Sequence, residues 1–234
     1  MFPIGDDNSD RTITPFVNYA FIGINVLVFI LLQQLGSNEA FDYAFSLVPR
    51  EITNGIDLVG PQVIQVGAET ARINHYPTPL PVYFNFLSSM FMHGSIMHIL
   101  GNMMFLFVFG DNLENLIGHI RYVAFYIFCG LVAAVAQIAM GPDSIIPMLG
   151  ASGAISGVLG GYLLLFPQRR VRAIIFNFLT EVPAFVALGL WIVYQIVLGY
   201  LTPAGTGGVA YAAHIGGFVA GLVTIKIFAL GRRV

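Results

Sequence analysis

The sequence is poor in charge. Its 234 residues include ten Lys or Arg and twelve Asp or Glu, 9% in all, where a soluble domain carries about a quarter. So few charges cannot cover a water-facing surface for a chain this long, which excludes a soluble globular protein. A net charge of −2 leaves no basic surface, so nucleic acid is not an expected partner. Cysteine is almost absent. The lone Cys129 cannot form an internal disulfide and lies in an apolar run, where a small buried hydrophobe is the expected role. The first residues lack positive charge: Asp6, Asp7 and Asp10 stand where a secretory signal carries Lys or Arg. A cleaved signal is therefore not expected. No internal repeat or low-complexity tract is evident.

What is present is apolar length. Hydrophobic residues make up 57% of the chain and the mean hydropathy is +0.81. Six runs are long enough to cross a hydrocarbon core of about 30 Å at about 1.5 Å per residue: Phe16 to Leu35, Phe84 to Gly110, Tyr122 to Met140, Met148 to Phe166, Val182 to Leu201 and Val209 to Phe228. In lipid these must be helices, because backbone polar groups find no water there. The predicted fold is all-α, a polytopic bundle of six transmembrane helices. Six crossings put both termini on one side, with Arg11, Arg121, Arg169, Arg170, Arg172, Lys226, Arg232 and Arg233. Arg50 and Arg72 are left for the other. That asymmetry predicts cytoplasmic termini. The organisation expected is a tail over 1–15, a six-helix domain over 16–230 and a tail over 231–234, with 36–83 a long loop on the outer membrane surface. Ala173 to Thr180 is apolar but short, and reads as an interfacial segment or an extension of the fifth span.

Ionisable residues inside spans are costly and are functional candidates by default. His93 and His98 fall in the second span and His214 in the sixth. His98 and Asn102 are four apart and share a helix face, from which His93 points away. The plain reading of the three is polar groups bridging neighbouring helices. His75 and His119 read as exposed loop residues, and Glu114 as a structural hydrogen-bonding group near the second loop. The fourth span opens with Gly150-Ala151-Ser152-Gly153, where a serine also reads as a helix cap. Small residues then recur every four positions, at Gly153, Gly157 and Gly161, and likewise at Ala213, Gly217 and Gly221. Such faces let helix backbones approach closely in lipid. Contact between these two spans would bring Ser152 and His214 within hydrogen-bond reach.

That juxtaposition has a chemistry. A serine hydroxyl is a weak nucleophile until a base takes its proton, and a neutral imidazole is such a base. The oxyanion formed on attack needs preformed donors. The Ser152 N–H at a helix start can supply one, and the side chains of His98 and Asn102 others. No acidic residue falls near His214, which predicts a dyad rather than a triad.

The blocks His93 to Asn102, Gly150-Ala151-Ser152-Gly153, and Ala213-His214-Ile215-Gly216-Gly217 with Gly221 resemble, in this order and on the second, fourth and sixth spans, the rhomboid family of intramembrane serine proteases in its six-span bacterial type. The resemblance covers nearly the whole chain and is loosest from Ser37 to Pro81. It implies Ser152 as nucleophile, His214 as base, His98 and Asn102 at the oxyanion and His93 as support of a water-accessible pocket. It implies a serine endopeptidase without cofactor or metal, acting in the lipid bilayer, here the bacterial inner membrane. The implied substrates are single-pass membrane proteins with helix-destabilising residues near the cut, admitted past the fifth span as a lateral gate. Pro183 and Gly189 would ease movement of that span. Two positions depart from the pattern. Ser156 stands where some members place an aromatic that stacks on the catalytic histidine, which leaves two readings: Ser156 bonds His214, or His214 sits looser. The lone tryptophan, Trp191, is not in the first loop, which must be anchored otherwise. Two other readings compete: a non-proteolytic rhomboid-like protein that binds membrane clients, and a metal or proton carrier using His93, His98 and His214.

Overall fold

The computed structural model describes residues 2–66, 69–175, 178–202 and 208–232. Strand β1 (Phe2–Asp6) precedes helix α1 (Phe16–Leu27), which continues through a π-turn over Val28–Leu32. The outer loop holds α2 (Glu39–Phe45), α3 (Pro49–Asn54), strands β2 (Gly60–Val66) and β3 (Glu69–His75), and the short α4 (Asn85–Ser88). Then come α5 (Ile96–Ile117), α6 (His119–Met140), α7 (Ser152–Leu165), β4 (Arg170–Ile175), β5 (Phe178–Pro183), α8 (Ala184–Leu201) and α9 (Tyr211–Phe228). Four of these, α5, α6, α8 and α9, are long and apolar enough to cross a membrane. The segments Phe16–Leu32 and Ser152–Leu165 are apolar but shorter.

The boundaries follow local chemistry. The Ser95 hydroxyl accepts the His98 N–H at 3.2 Å and caps α5, so this helix begins well after the Phe84 start read from hydropathy. His93 consequently lies before the helix, not within it. Gly118, at φ +83°, parts α5 from α6, a conformation that a side chain would strain. Pro183 caps α8, where its missing N–H costs no helical bond.

The all-α expectation is overturned in two places. β2 and β3 pair as an antiparallel hairpin in the outer loop. A three-stranded antiparallel sheet, in the order β1-β4-β5, closes the end of the bundle that carries the N-terminus. The segment read as interfacial is thus strand. Its periodicity is two, with Arg170 and Arg172 exposed and Val171 and Ala173 buried, as a half-buried sheet requires.

The two loop-histidine readings are also revised, His75 in its exposure and His119, whose side chain is exposed as read, in its placement on a helix. His75 is buried at 3% exposure, with its ring 6.3 Å from that of Tyr43. His119 opens α6, and its Nδ1 lies 2.5 Å from Glu114 Oε1. Glu114 also accepts the backbone N–H groups of Val17 and Asn18, tying the first turn of α1, whose N–H groups lack helical partners, to α5.

At the same end, Asp6 is held by the Tyr162 hydroxyl at 2.5 Å and by Asn112 Nδ2 at 2.7 Å. Arg169 bonds Asn112 and reaches Asp10 at 2.5 Å, while Arg11 pairs with Asp111 at 3.1 Å. Arg121 Nη1 donates to the Phe228 and Leu230 carbonyls. Arg11 and Arg169 are thus spent on polar side chains of the N-terminal segment and α5, and Arg121 on the carbonyls at the end of α9, all at one end of the bundle. Arg233, counted with them in the sequence, lies outside the described residues. The outer loop is anchored by Gln33 and Asn85. Gln33 bonds Asp42 and both backbone groups of His93, and Asn85 Nδ2 donates to the Ala44 and Ser46 carbonyls.

The bundle is centred on α7, which packs on α9, α6 and α5. A Cβ on Gly217 would overlap the Gly153 carbonyl oxygen, and one on Gly221 the Gly157 carbonyl oxygen. A Cβ on Gly157 would press on Cys129, which is fully buried. Lipid tails are as apolar as leucine, so close packing, rather than escape from water, holds such helices together.

Gly221→Leu is expected to cost about 3 kcal/mol or more, because backbone cannot move aside as a side chain can. Gly189→Leu, on an open face of α8, should stay within about 0.5 kcal/mol of the parent. Thermal melting in detergent followed by helical circular dichroism checks both. A second expectation concerns Asp6. Burial, reinforced by Asp111 and Asp7 against the pull of Tyr162 and Arg169, pushes its carboxyl up to about 7. The folded state thus prefers the protonated form. A stability penalty grows as pH rises from the ordinary carboxylate value through about 7, then levels. Melting should be higher at pH 5 than at pH 8, and Asp6→Asn should flatten the difference.

Candidate active site

Ser152 is the first residue of α7, with Ala151 at the cap position. Its hydroxyl is not spent on capping; it lies 2.8 Å from His214 Nε2. The serine owes its place to the turn before it. Gly150, at φ +136°, donates its N–H to the Ser89 carbonyl at 2.9 Å. Just upstream, Leu47 and Met148 exchange backbone hydrogen bonds at 3.0 and 2.8 Å, so the outer loop braces the approach to α7. His214 lies in the first turn of α9, beside Ala213, whose N–H is accepted by Gln137 Oε1 at 3.2 Å. Ser152 and His214 thus meet because the helices behind them touch at glycine.

His214 Nδ1 lies 2.8 Å from Gln195 Oε1. An amide oxygen only accepts, so the proton sits on Nδ1 and the Nε2 lone pair faces the Ser152 hydroxyl, which donates to it. Gln195, on α8, is 6% exposed and was not singled out in the sequence. The signal was available: it is an uncommon polar residue deep within an apolar run. The ring also lies 6.0 Å from that of Trp191 and 6.5 Å, edge-on, from that of Tyr211. Ser156 neither bonds nor contacts His214 in this way; its hydroxyl donates to the Ser152 carbonyl at 2.6 Å. Aromatic support of the imidazole comes from α8 and α9 instead of α7.

His98 and Asn102, one turn apart on α5, line the same cavity of about 1300 Å³ as Ser152, His214, Trp191 and Gln195. A Cβ on Gly150 would stand 3.0 Å from His98 Nε2 and 3.6 Å from Ser152 Oγ. The space between imidazole and hydroxyl is open because that Cβ is missing. Among the described residues Asn102 Nδ2, which is buried, has no protein partner. His93 is fully buried and packs edge-on against His98 at 5.0 Å, with neither ring nitrogen bonded to protein among the described residues. The structure brings Ser152, His214, His98 and Asn102 around one cavity, and sets His93 behind His98. Chemically, the arrangement offers an activated hydroxyl, an unprotonated nitrogen to take its proton, and free donors at a helix start.

Fold and site together define a multi-pass integral membrane protein with a half-buried serine–histidine pair. Residues 81–230 match the Rhomboid domain family, and the chain belongs to the rhomboid family. It is 26% identical over 204 residues to Rhomboid-related protein 2 of Mus musculus, covering 83% of this chain and 62% of that protein. It is 27% identical over 214 residues to Rhomboid protein 1, mitochondrial, of Saccharomyces cerevisiae, covering 88% and 51%. It is 32% identical over 222 residues to RHOMBOID-like protein 4 of Arabidopsis thaliana, covering 91% and 52%. The chain therefore spans between half and two thirds of the length of these relatives.

Proposed function

We propose that the chain is an intramembrane serine endopeptidase using a Ser152–His214 dyad. The carrying observation is the 2.8 Å contact between Ser152 Oγ and His214 Nε2, made with Nδ1 already engaged. In the proposed reaction Ser152 Oγ attacks the carbonyl carbon of the scissile peptide while its proton passes to His214 Nε2. The carbonyl oxygen takes up the negative charge. The Ser152 N–H, unpaired in the first turn of α7, the His98 ring and the Asn102 amide stabilise it, each such donor typically being worth about 3 to 4 kcal/mol. His93 keeps the His98 ring in place. The C–N bond then breaks, and His214 returns its proton to the leaving amine. Water, deprotonated by the same nitrogen, cleaves the acyl ester and restores the hydroxyl.

Six crossings are proposed, with α1 and α7 as the two short ones, both termini cytoplasmic and the site reached from the outer side. The domain would then run over 16–230, with 36–83 at the outer surface. The length of α7 supports a sunken site: its 14 residues rise roughly 21 Å against a core of about 30 Å. Grounded at its Leu165 end, the helix starts Ser152 well below the opposite surface. Substrates would be single-pass transmembrane proteins presenting an unwound stretch at that depth. The clustering of basic residues at the termini-bearing end supports the orientation, and the bacterial inner membrane is the proposed location.

Purified protein should cleave a single-pass substrate and react with a fluorophosphonate. Ser152→Ala and His214→Ala should each abolish cleavage, by at least about 10³-fold, while melting as the parent does. Asn102→Ala should cost less, about 10²-fold. Near-normal turnover by His214→Ala refutes the dyad. Client binding without any cleavage or labelling would favour the non-proteolytic reading.

A further inference from the structure

We infer that Gln195 is a positioning residue for this reaction, holding His214 in the one tautomer and ring orientation that can accept the Ser152 proton. The inference rests on the proposed serine protease activity.

A neutral imidazole carries one proton, on either nitrogen. With the proton on Nε2 it would present a donor to Ser152 Oγ and could not act as base. A tautomer is selected by what faces the other nitrogen. Here that partner is Gln195 Oε1, at 2.8 Å from Nδ1, a group that accepts and cannot donate. Gln195 therefore does the orienting part of an acid's work in a triad. It does so without a charge, which suits a site in lipid, where an ionised side chain is costly.

The same helix supplies a second contact. Trp191 lies four residues before Gln195, on the same face, and its ring stands 6.0 Å from that of His214 at 37°. The imidazole is thus set by two side chains from α8, although α8 carries neither member of the dyad. This helix is also sparsely anchored. Its buried residues are Ala184, Ala187 and Leu188 near its start and Gln195 beyond them. Tyr194, Ile196, Val197, Tyr200 and Leu201 around and after Gln195 are exposed. Among the described residues Gln195 is the buried side chain of the outer half of α8, and its partner is the base. Outward displacement of that half removes Gln195 and Trp191 from His214 together.

A bystander glutamine, buried merely to satisfy its own polarity, would look alike in the structure but not in kinetics. The test uses the full chain in detergent, with a fluorescent single-pass substrate, kcat and KM measured across pH, and fluorophosphonate labelling. Gln195→Leu should melt within a few degrees of the parent, yet lose about 10²-fold in kcat with KM within twofold. Gln195→Glu, which keeps the acceptor, should recover at least about 10-fold of that loss. Its added negative charge favours the imidazolium, so the acid limb of its kcat/KM profile should move up by about one pH unit. A leucine variant with kcat within threefold of the parent overturns the inference. If that variant does not fold, the glutamate variant decides alone, and an unshifted acid limb overturns the inference. These failures leave an active parent enzyme. A parent that neither labels nor cleaves refutes the protease reading itself.

Discussion

Everything at the site depends on the backbone contact between α7 and α9. Gly153 and Gly157 on one helix meet Gly217 and Gly221 on the other so closely that a Cβ would collide with a carbonyl oxygen. In water, apolar burial would tolerate a looser fit. In a bilayer the solvent competes for the same contacts, so association must come from shape. The smallest residues give the closest shape, and the geometry they impose carries through less than one helical turn to Ser152 and His214. The 2.8 Å contact between those two reports how well the glycines fit.

A second constraint is that each buried polar atom must be satisfied without water. The chain meets it by assigning such atoms to joints. Asn18 bonds the Leu106 carbonyl and the Tyr122 hydroxyl, so α1, α5 and α6 are joined at one amide. Glu114 takes the free N–H groups of α1, and Gln33 binds both backbone groups of His93. Among the described residues some buried polar atoms have no protein partner, including Asn25 Oδ1, both ring nitrogens of His75 and the Tyr126 hydroxyl, and among them Asn102 Nδ2 and both nitrogens of His93 lie in and behind the Ser152–His214 cavity. Unsatisfied groups there are consistent with donors kept for a charge that appears only during reaction.

The helices divide into a fixed set and a lightly held one. α7 is buried almost throughout and is wedged among α5, α6 and α9, which suits the proposed role of its first residue as a nucleophile held without drift. α8 is the least buried of the four long apolar helices, yet its Gln195 bonds His214 and its Trp191 ring lies beside it. The most enclosed helix thus places the hydroxyl, while the least buried of the four long apolar helices flanks the imidazole.

Much of this was legible in the sequence. Scarce charge and six apolar runs announced a membrane bundle, because lipid leaves the backbone no alternative to helix. Small residues at four-residue spacing announced which spans touch, and so which serine meets which histidine. The strands were not legible. Arg170 to Pro183 is short, and whether a short apolar segment pairs with Phe2 to Asp6 depends on residues far along the chain. Nor could hydropathy see that α5 waits for the Ser95 cap and leaves His93 outside it. Gln195 shows the boundary most clearly. Its polarity in an apolar run marked it as unusual, but which atom it would face depends on the seating of α8 beside α9, and that is a property of three-dimensional packing. Composition and periodicity determined the medium, the helices and the pairing of their faces, because these depend on local side-chain chemistry. Tertiary structure alone decided how the imidazole is oriented, because that depends on contacts between residues that no spacing relates.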